Sequence, residues 1–244
     1  MISLRKLAGL PDRSRARKLI SLLAEEQNPA YQAGLVELAH LFLEEKCSVP
    51  IAPLSERGRA LLRYRLAAKL GIEVADWDLQ APADRSEEPT RFPFSVWLDD
   101  LRSPFNVGSI VRTAEAYGFE SVLFSPLTPG LDHPRTLRTA MGAQAYLAHE
   151  ALSLEDLMLR HGSRPVFALE LGGTPLHEFV FPPEGVVLVG GEELGLSPEA
   201  LAWANGSCGR VSLPLYGRKA ALNVGVAFGI LAAAWTAQVK SLEG

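Results

Sequence analysis

An α/β domain with a largely parallel sheet, preceded by a small helical N-terminal domain, is the architecture this 244-residue sequence predicts. Three observations predict it. Short apolar runs alternate with helical patterns only in the second part of the chain, the grammar of a parallel sheet with covering helices. Before that, apolar residues recur at three- and four-residue spacing, with no strand-like run among them. The formal charge also changes sign between the two parts. Residues 1–75 carry twelve Lys/Arg against eight Asp/Glu, a balance of +4, and residues 76–244 carry twelve against twenty, a balance of -8. The whole-chain balance of -4 averages two regions of different character and by itself argues mildly against a polyanionic partner.

The elements follow in order. Leu19-Ile20-Leu22-Leu23 marks one helix, and Leu35, Leu38, Ala39, Phe42 and Leu43 mark a second. Pro29, Pro50 and Pro53 punctuate the region. A third helix starts after Ser55, a residue suited to an N-cap, and stops at Gly71. Positive charge falls in two clusters: Arg5, Lys6, Arg13, Arg15, Arg17 and Lys18, then Arg57, Arg59, Arg63, Arg65 and Lys69. Such clusters are commonly a solvated helix face. Two of one sign in so small a domain also suit phosphate contacts with RNA, which makes residues 1–80 a candidate RNA-binding domain. Residues 81–93 read as a linker, because Ala81 to Pro89 is polar, proline-flanked and without apolar period.

From residue 94 to 244 the strands are Val96–Leu98, Ser121–Phe124, Val166–Leu169, Val186–Val189 and Val211–Leu215. Val107, Ile110, Val111, Ala114 and Tyr117 form one face of the helix between the first two. The ligand site of such a domain should lie beyond the carboxyl ends of its strands. Ala220 to Val239 carries no charge over roughly the length of a bilayer span, but Asn223, Thr236, Gln238 and many Ala and Gly residues favour a buried helix over a membrane segment. Gly225 and Gly229 would let another backbone approach it closely, in the core or between subunits.

Composition and motif search exclude several chemistries. Two cysteines, Cys47 and Cys208, with no paired spacing, indicate neither a disulfide framework nor a structural zinc site, and they point to a reducing cytoplasm. The first residues lack the apolar core of a secretory signal. Five histidines show no metal-ligand spacing, so no metal is expected. There is no Walker A loop, no GxGxxG after the first strand, no GxSxG and no HExxH.

Three segments carry the chemistry that remains. In Leu98 to Ala114 a proline turn leads into a helix, with Asn106 placed as an N-cap and Arg112 six residues on. Val189 to Pro198 is a glycine-bearing loop whose Gly190 and Gly191 permit close backbone approach, while Glu192 and Glu193 make it a poor phosphate cradle. Leu213 to Ala227 runs from a strand through the basic turn of Arg218 and Lys219 to the uncharged helix. Asn223 at its head needs a partner if buried, and an ordinary helix cap would satisfy it.

Taken together, Asn106-x-Gly108-x-x-x-Arg112-Thr113-Ala114, Gly190-x-Glu192-x-x-Gly195-Leu196-Ser197 and Leu213-Pro214 with Leu222-Asn223-Val224 resemble the three signature motifs of the SPOUT superfamily, in particular its TrmH-like RNA ribose 2'-O-methyltransferases. Arg138 to Ala143 resembles the segment these proteins carry between the first two motifs. The resemblance implies a trefoil-knotted domain, a homodimer, S-adenosyl-L-methionine as cofactor, and tRNA or rRNA as substrate. It assigns catalysis to Arg112, with Asn106, Glu192 and Asn223 organising the site, and cofactor contacts to Gly190, Gly191, Leu213, Leu215 and Leu222. Arg57, Arg59, Arg63, Arg65, Arg138 and Arg218 would meet RNA. Ala221 stands where the family usually has serine, and Ala140 where serine is frequent. A catalytically weak RNA-binding or assembly factor on the same fold is therefore the alternative, and a generic nucleotide-binding module is disfavoured by the missing phosphate loop.

Overall fold

The computed structural model describes residues 2–26, 28–44, 55–72 and 88–242. The chain divides into two compact units, Met1–Ala83 and Asp84–Gly244. Most of the linker read from sequence, residues 81–87, lies outside the described residues, as do Pro50, Pro53 and Cys47.

The first unit contains four described helices, α1 (Leu4–Ala8), α2 (Asp12–Glu25), α3 (Pro29–Leu43) and α4 (Glu56–Lys69). Local chemistry sets their ends. The Asn28 side chain accepts hydrogen bonds from the N–H groups of Ala30 and Tyr31, with Pro29 at the first helical position, and the Ser55 hydroxyl accepts from Gly58 N–H at 3.2 Å. Gly71 follows α4 with φ of +64°, a conformation that favours glycine. Leu7, Leu19, Leu23, Leu35, Val36, Ala39, Leu62 and Leu66 form the core of this unit.

The second unit holds six strands: β1 (Phe94–Asp99), β2 (Ser121–Phe124), β3 (Ala148–Ala151), β4 (Val166–Pro175), β5 (Gly185–Gly190) and β6 (Arg210–Ser212). They form one sheet in the order β3-β2-β1-β5-β4-β6, parallel at every pairing. Its helices are α5 (Pro104–Ala116), α6 (Pro134–Ala140), α7 (Leu154–His161), α8 (Pro198–Asn205) and α9 (Val224–Leu242). The period-two alternation of the strands sorts their side chains onto two faces. Phe94, Val96, Leu98, Phe167, Val187 and Val189 pack in one cluster with residues of α5 and α9, while Trp97, Val166, Ala168, Val186 and Leu188 pack in another with residues of α7 and α8. A sheet covered on both sides explains the nearly continuous apolar runs of its central strands.

Helix α9 is as long and apolar as a membrane span, but Gly225, Phe228, Leu231, Ala232, Trp235 and Val239 face the sheet. The Trp235 ring stacks on Phe94 at 3.9 Å between centroids. Burying each of these large side chains is worth about 1.5–3 kcal/mol, which accounts for where the uncharged segment goes. Gly225 and Gly229 serve approach within the fold: a side chain at 225 would meet Ser109 at 3.3 Å and one at 229 would meet Thr113 at 3.8 Å, both on α5.

Three expectations change. Val211–Leu215 is not a strand throughout, since β6 ends at Ser212 and Pro214 has no N–H for a ladder. β3 carries little strand signal because all four of its residues are exposed on the sheet edge. Asn106 is not the cap of α5. Ser103 is, its hydroxyl accepting from Asn106 N–H at 3.4 Å with Pro104 at the first helical position, and this leaves the Asn106 side chain available for another use.

Candidate functional site

The strand order reverses beside β1. The chain leaves β1 for β2 on one side, while β5 pairs on the other with Asp99 opposite Gly190. In a parallel sheet this is the switch point where loops part and a crevice opens. Two sequence-predicted segments, the β1–α5 turn and the β5–α8 loop, meet there, and the segment after β6 borders the same place.

The β5–α8 loop is built on close backbone packing. A Cβ on Gly190 would stand 2.2 Å from the backbone of Gly195, so only glycine fits, and Gly195 itself has φ of +67°. Asp99, at the end of β1 and 6% exposed, accepts from both the N–H and the hydroxyl of Ser197 at 2.7 Å, tying the loop's end to the sheet. Gly108 performs a similar service for α5, because a Cβ there would lie 2.5 Å from the Thr136 carbonyl oxygen of α6.

The loop closes one side of a cleft of about 540 Å³. Gly190, Gly191, Leu213, Leu215 and Leu222, five residues read from the motifs, all line it, together with Leu169, Val189 and Leu196. Glu170, Glu192, Ala221 and Arg210 also border it. Its volume and mixture of apolar side chains with exposed backbone suit a small organic molecule rather than a phosphate chain.

Beside the cleft, three polar motif residues form a chain of hydrogen bonds. Asn223 Oδ1 accepts from the N–H groups of Gly225 and Val226 at 3.0 and 3.3 Å and so caps α9. Its amide nitrogen must then point away from the helix, and it donates to Asn106 Oδ1 at 3.0 Å. That bond in turn directs the Asn106 amide nitrogen to Glu192 Oε1, to which it donates. Each amide orientation is fixed by the one before it, starting from the helix backbone. The cap expected of Asn223 is present, and the same side chain does a second job.

Arg112 stands apart from this chain. Its guanidinium is exposed and donates to Met141 Sδ at 2.8 Å, and among the described residues no hydrogen bond or ion pair joins it to Asn106, Glu192 or Asn223. Met141 caps α6 with φ of +52°. Arg138 on α6 and Arg218 in the turn after β6 are both exposed. On α4 the predicted basic cluster divides. Arg57 and Arg65 are exposed on one face with Leu61 and Tyr64, whereas Arg59 and Arg63 are half-buried on the side that packs. Among the described residues no three His, Cys, Asp or Glu side chains converge in a way that could hold a metal ion. Glu170 carries no sequence signal, since Leu169-Glu170-Leu171 looks like ordinary strand alternation.

Fold and cleft define a parallel α/β protein with a cleft at its switch point and an Asn–Asn–Glu chain of hydrogen bonds beside it. The chain belongs to the SpoU rRNA methylase family, whose sequence model matches residues 93–233. The 23S rRNA (guanosine(2553)-2'-O)-methyltransferase RlmP of Bacillus subtilis is 28% identical over 137 residues, 55% of this chain and 54% of that protein. This chain therefore spans about half the length of that relative. An AdoMet-bound rRNA methyltransferase from Sinorhizobium meliloti aligns with a TM-score of 0.54 and 28% identity, over 61% of this chain and 57% of that one. The SpoU methyltransferase AviRb from Streptomyces viridochromogenes, in complex with AdoMet, has a TM-score of 0.55 at 21% identity over 92% of this chain and 97% of its own, a likeness of fold.

Proposed function

We propose that this chain is an S-adenosyl-L-methionine-dependent RNA methyltransferase acting on a ribose 2'-hydroxyl of tRNA or rRNA. The observation that carries the reading is the fixed hydrogen-bond chain from Asn223 through Asn106 to Glu192 beside a cleft lined by backbone and leucine side chains. The cleft suits this cofactor: Gly190 and Gly191 present backbone to it, and Leu213, Leu215 and Leu222 supply apolar surface for an adenine. When bound, the cofactor supplies an electrophilic methyl group on a sulfonium.

This chain's own residues do the rest. A ribose hydroxyl is a weak nucleophile at neutral pH and has to be aligned with the methyl group and relieved of its proton. Glu192, its position set by Asn106, offers a carboxylate acceptor near the hydroxyl. Arg112 brings a permanent positive charge that holds the RNA and stabilises the oxygen as negative charge develops on it. The ribose oxygen, giving up its proton to the Glu192 carboxylate or to water, would take the methyl carbon as that carbon's bond to the sulfonium sulfur breaks, and the cofactor would leave as a neutral thioether. Exposed Arg138 and Arg218 flank the RNA path, and the basic α4 face recruits it.

The trefoil knot, the homodimer and the cytoplasmic setting belong to the same proposal. For the dimer, the support is the outer face of α9, where Val226 and Ile230 are 53% and 40% exposed beside Leu222, an apolar patch of the kind a second copy would cover. For the knot, the support is that the β5–α8 loop and the segment after β6 border one cleft. The intact Asn–Asn–Glu chain favours turnover over the inactive-factor reading that Ala221 motivates.

Calorimetry tests the cofactor step. The folded protein is expected to bind S-adenosyl-L-methionine, and no detectable binding would overturn the proposal. Arg112→Ala is expected to abolish methyl transfer with cofactor affinity nearly unchanged.

A further inference from the structure

Strand β4 is interrupted. Leu169 and Thr174 both pair with Val211 of β6, so Glu170 to Gly173 bulge out of the ladder between them. The detour is tightly made: Gly172 has φ of +69°, and a Cβ on Gly173 would lie 2.6 Å from the Arg210 backbone. Bulges next to a site commonly serve to re-aim a side chain. Here the residue that leaves the ladder first is Glu170, which borders the cleft.

Its carboxylate is held without being used up. Oε1 accepts from Leu171 N–H at 2.9 Å and Oε2 from Leu196 N–H at 3.4 Å. Gly195 leaves room for it, since a Cβ at that position would meet Oε2 at 2.9 Å. An ionised carboxylate has about four acceptor sites, and two backbone donors leave two more. Among the described residues no Lys, Arg or His lies within ion-pair distance of it. A half-buried carboxylate with spare acceptor capacity, held on the wall of a cleft where it lies beside the apolar Leu169 and Leu196, fits a ligand that brings two adjacent donors.

Resting on the methyl-donor reading of the cleft, we infer that Glu170 accepts hydrogen bonds from the vicinal 2'- and 3'-hydroxyls of the cofactor's ribose and is a determinant of cofactor specificity. The placement is consistent along the cleft. The adenine belongs with Leu213 and Leu222, and the reacting end belongs at the Asn106–Glu192 mouth. The ribose joins them, opposite the β4 wall. An acidic residue on ribose hydroxyls is a recurrent solution in nucleotide-binding α/β folds.

The test is calorimetry with S-adenosylhomocysteine and its 2'-deoxy and 3'-deoxy analogues, on the wild type, Glu170→Ala and Glu170→Gln, with thermal melts to establish folding. The wild type is expected to bind the ribo form about tenfold or more tightly than either analogue, the scale of a hydrogen bond to a charged acceptor. Glu170→Ala is expected to bind all three alike, and Glu170→Gln to keep only part of the preference. A wild type indifferent to the hydroxyls overturns the inference. So does a preference that survives in Glu170→Ala, because the side chain then only holds the loop at Leu196. Should Glu170→Ala not fold, an undiminished preference in Glu170→Gln overturns the inference and a diminished one supports it. A wild type that binds none of the three ligands fails at the cofactor reading itself, a result distinct from binding without hydroxyl preference.

Discussion

Asn223 joins two roles that substitution can separate. Asn223→Asp keeps the oxygen that caps α9 but loses the amide donor to Asn106, whereas Asn223→Ala loses both. The aspartate variant is therefore expected to melt near the wild type and to lose about 100-fold in turnover, the lower range for a positioned proton-handling group. The alanine variant is expected to lose similar activity and also about 1 kcal/mol of stability, the typical worth of a cap. Thermal melts and single-turnover rates on both variants check this. The sequence motif identified Asn106, Glu192 and Asn223 as a set but could not say how they connect, because 86 and 117 residues separate Asn106 from its two partners. A smaller residue-scale effect concerns His161. Burial, and then Arg164, holds its pKa below the ordinary histidine value of 6.5. Protons bind more readily to the unfolded form, so this contribution to stability is present above pH 6.5 and is lost as pH falls through the lower folded value. His161→Gln is expected to flatten that part of a stability-against-pH curve.

At the scale of elements, the helices that carry the site are positioned by small residues. Gly108→Ala would drive a Cβ to 2.5 Å from the Thr136 carbonyl and push α5 from α6. The expected cost is about 1–3 kcal/mol, the usual range for overpacking, read from denaturant midpoints. The central strands were legible in the sequence because burial on both faces makes them continuous apolar runs. β3 was not, since Ala148, His149, Glu150 and Ala151 are exposed and leave no such pattern. The Asn106 misassignment has an equally local cause. Ser103 and Asn106 are both good caps, and Pro104, which favours the first helical position, was the signal that separates them. Glu170 was illegible for a different reason, because its role depends on a register shift against β6 that alternation along one strand cannot reveal. On α4, the structure narrows the RNA-binding proposal to the Arg57, Leu61, Tyr64 and Arg65 face. Charge reversal of Arg57 is expected to weaken RNA binding and flatten its salt dependence with little change in stability. Reversal of half-buried Arg59 and Arg63 is expected to show mainly as a lower melting temperature.

For the whole molecule, the change of charge sign along the chain corresponds to two compact units with separate apolar cores. The net charge of -4 is thus a poor guide to partners, since the residues proposed to meet RNA are local and basic. The sheet order, with β1 and β5 side by side at the switch point, brings Asn106 within hydrogen-bond reach of Glu192, 86 residues away in sequence, at the edge of the cleft. Family membership accounts for the pattern, and the geometry fits the proposed chemistry, with leucine side chains for the cofactor and a fixed polar chain for the hydroxyl. The most direct measurement is transfer of a labelled methyl group from S-adenosyl-L-methionine to RNA from cells lacking this protein, followed by mass spectrometry of the nucleosides. The account predicts a 2'-O-methylated nucleoside with the wild type and none with Arg112→Ala. Label on a base, or no transfer by a protein that binds the cofactor and RNA, would contradict it.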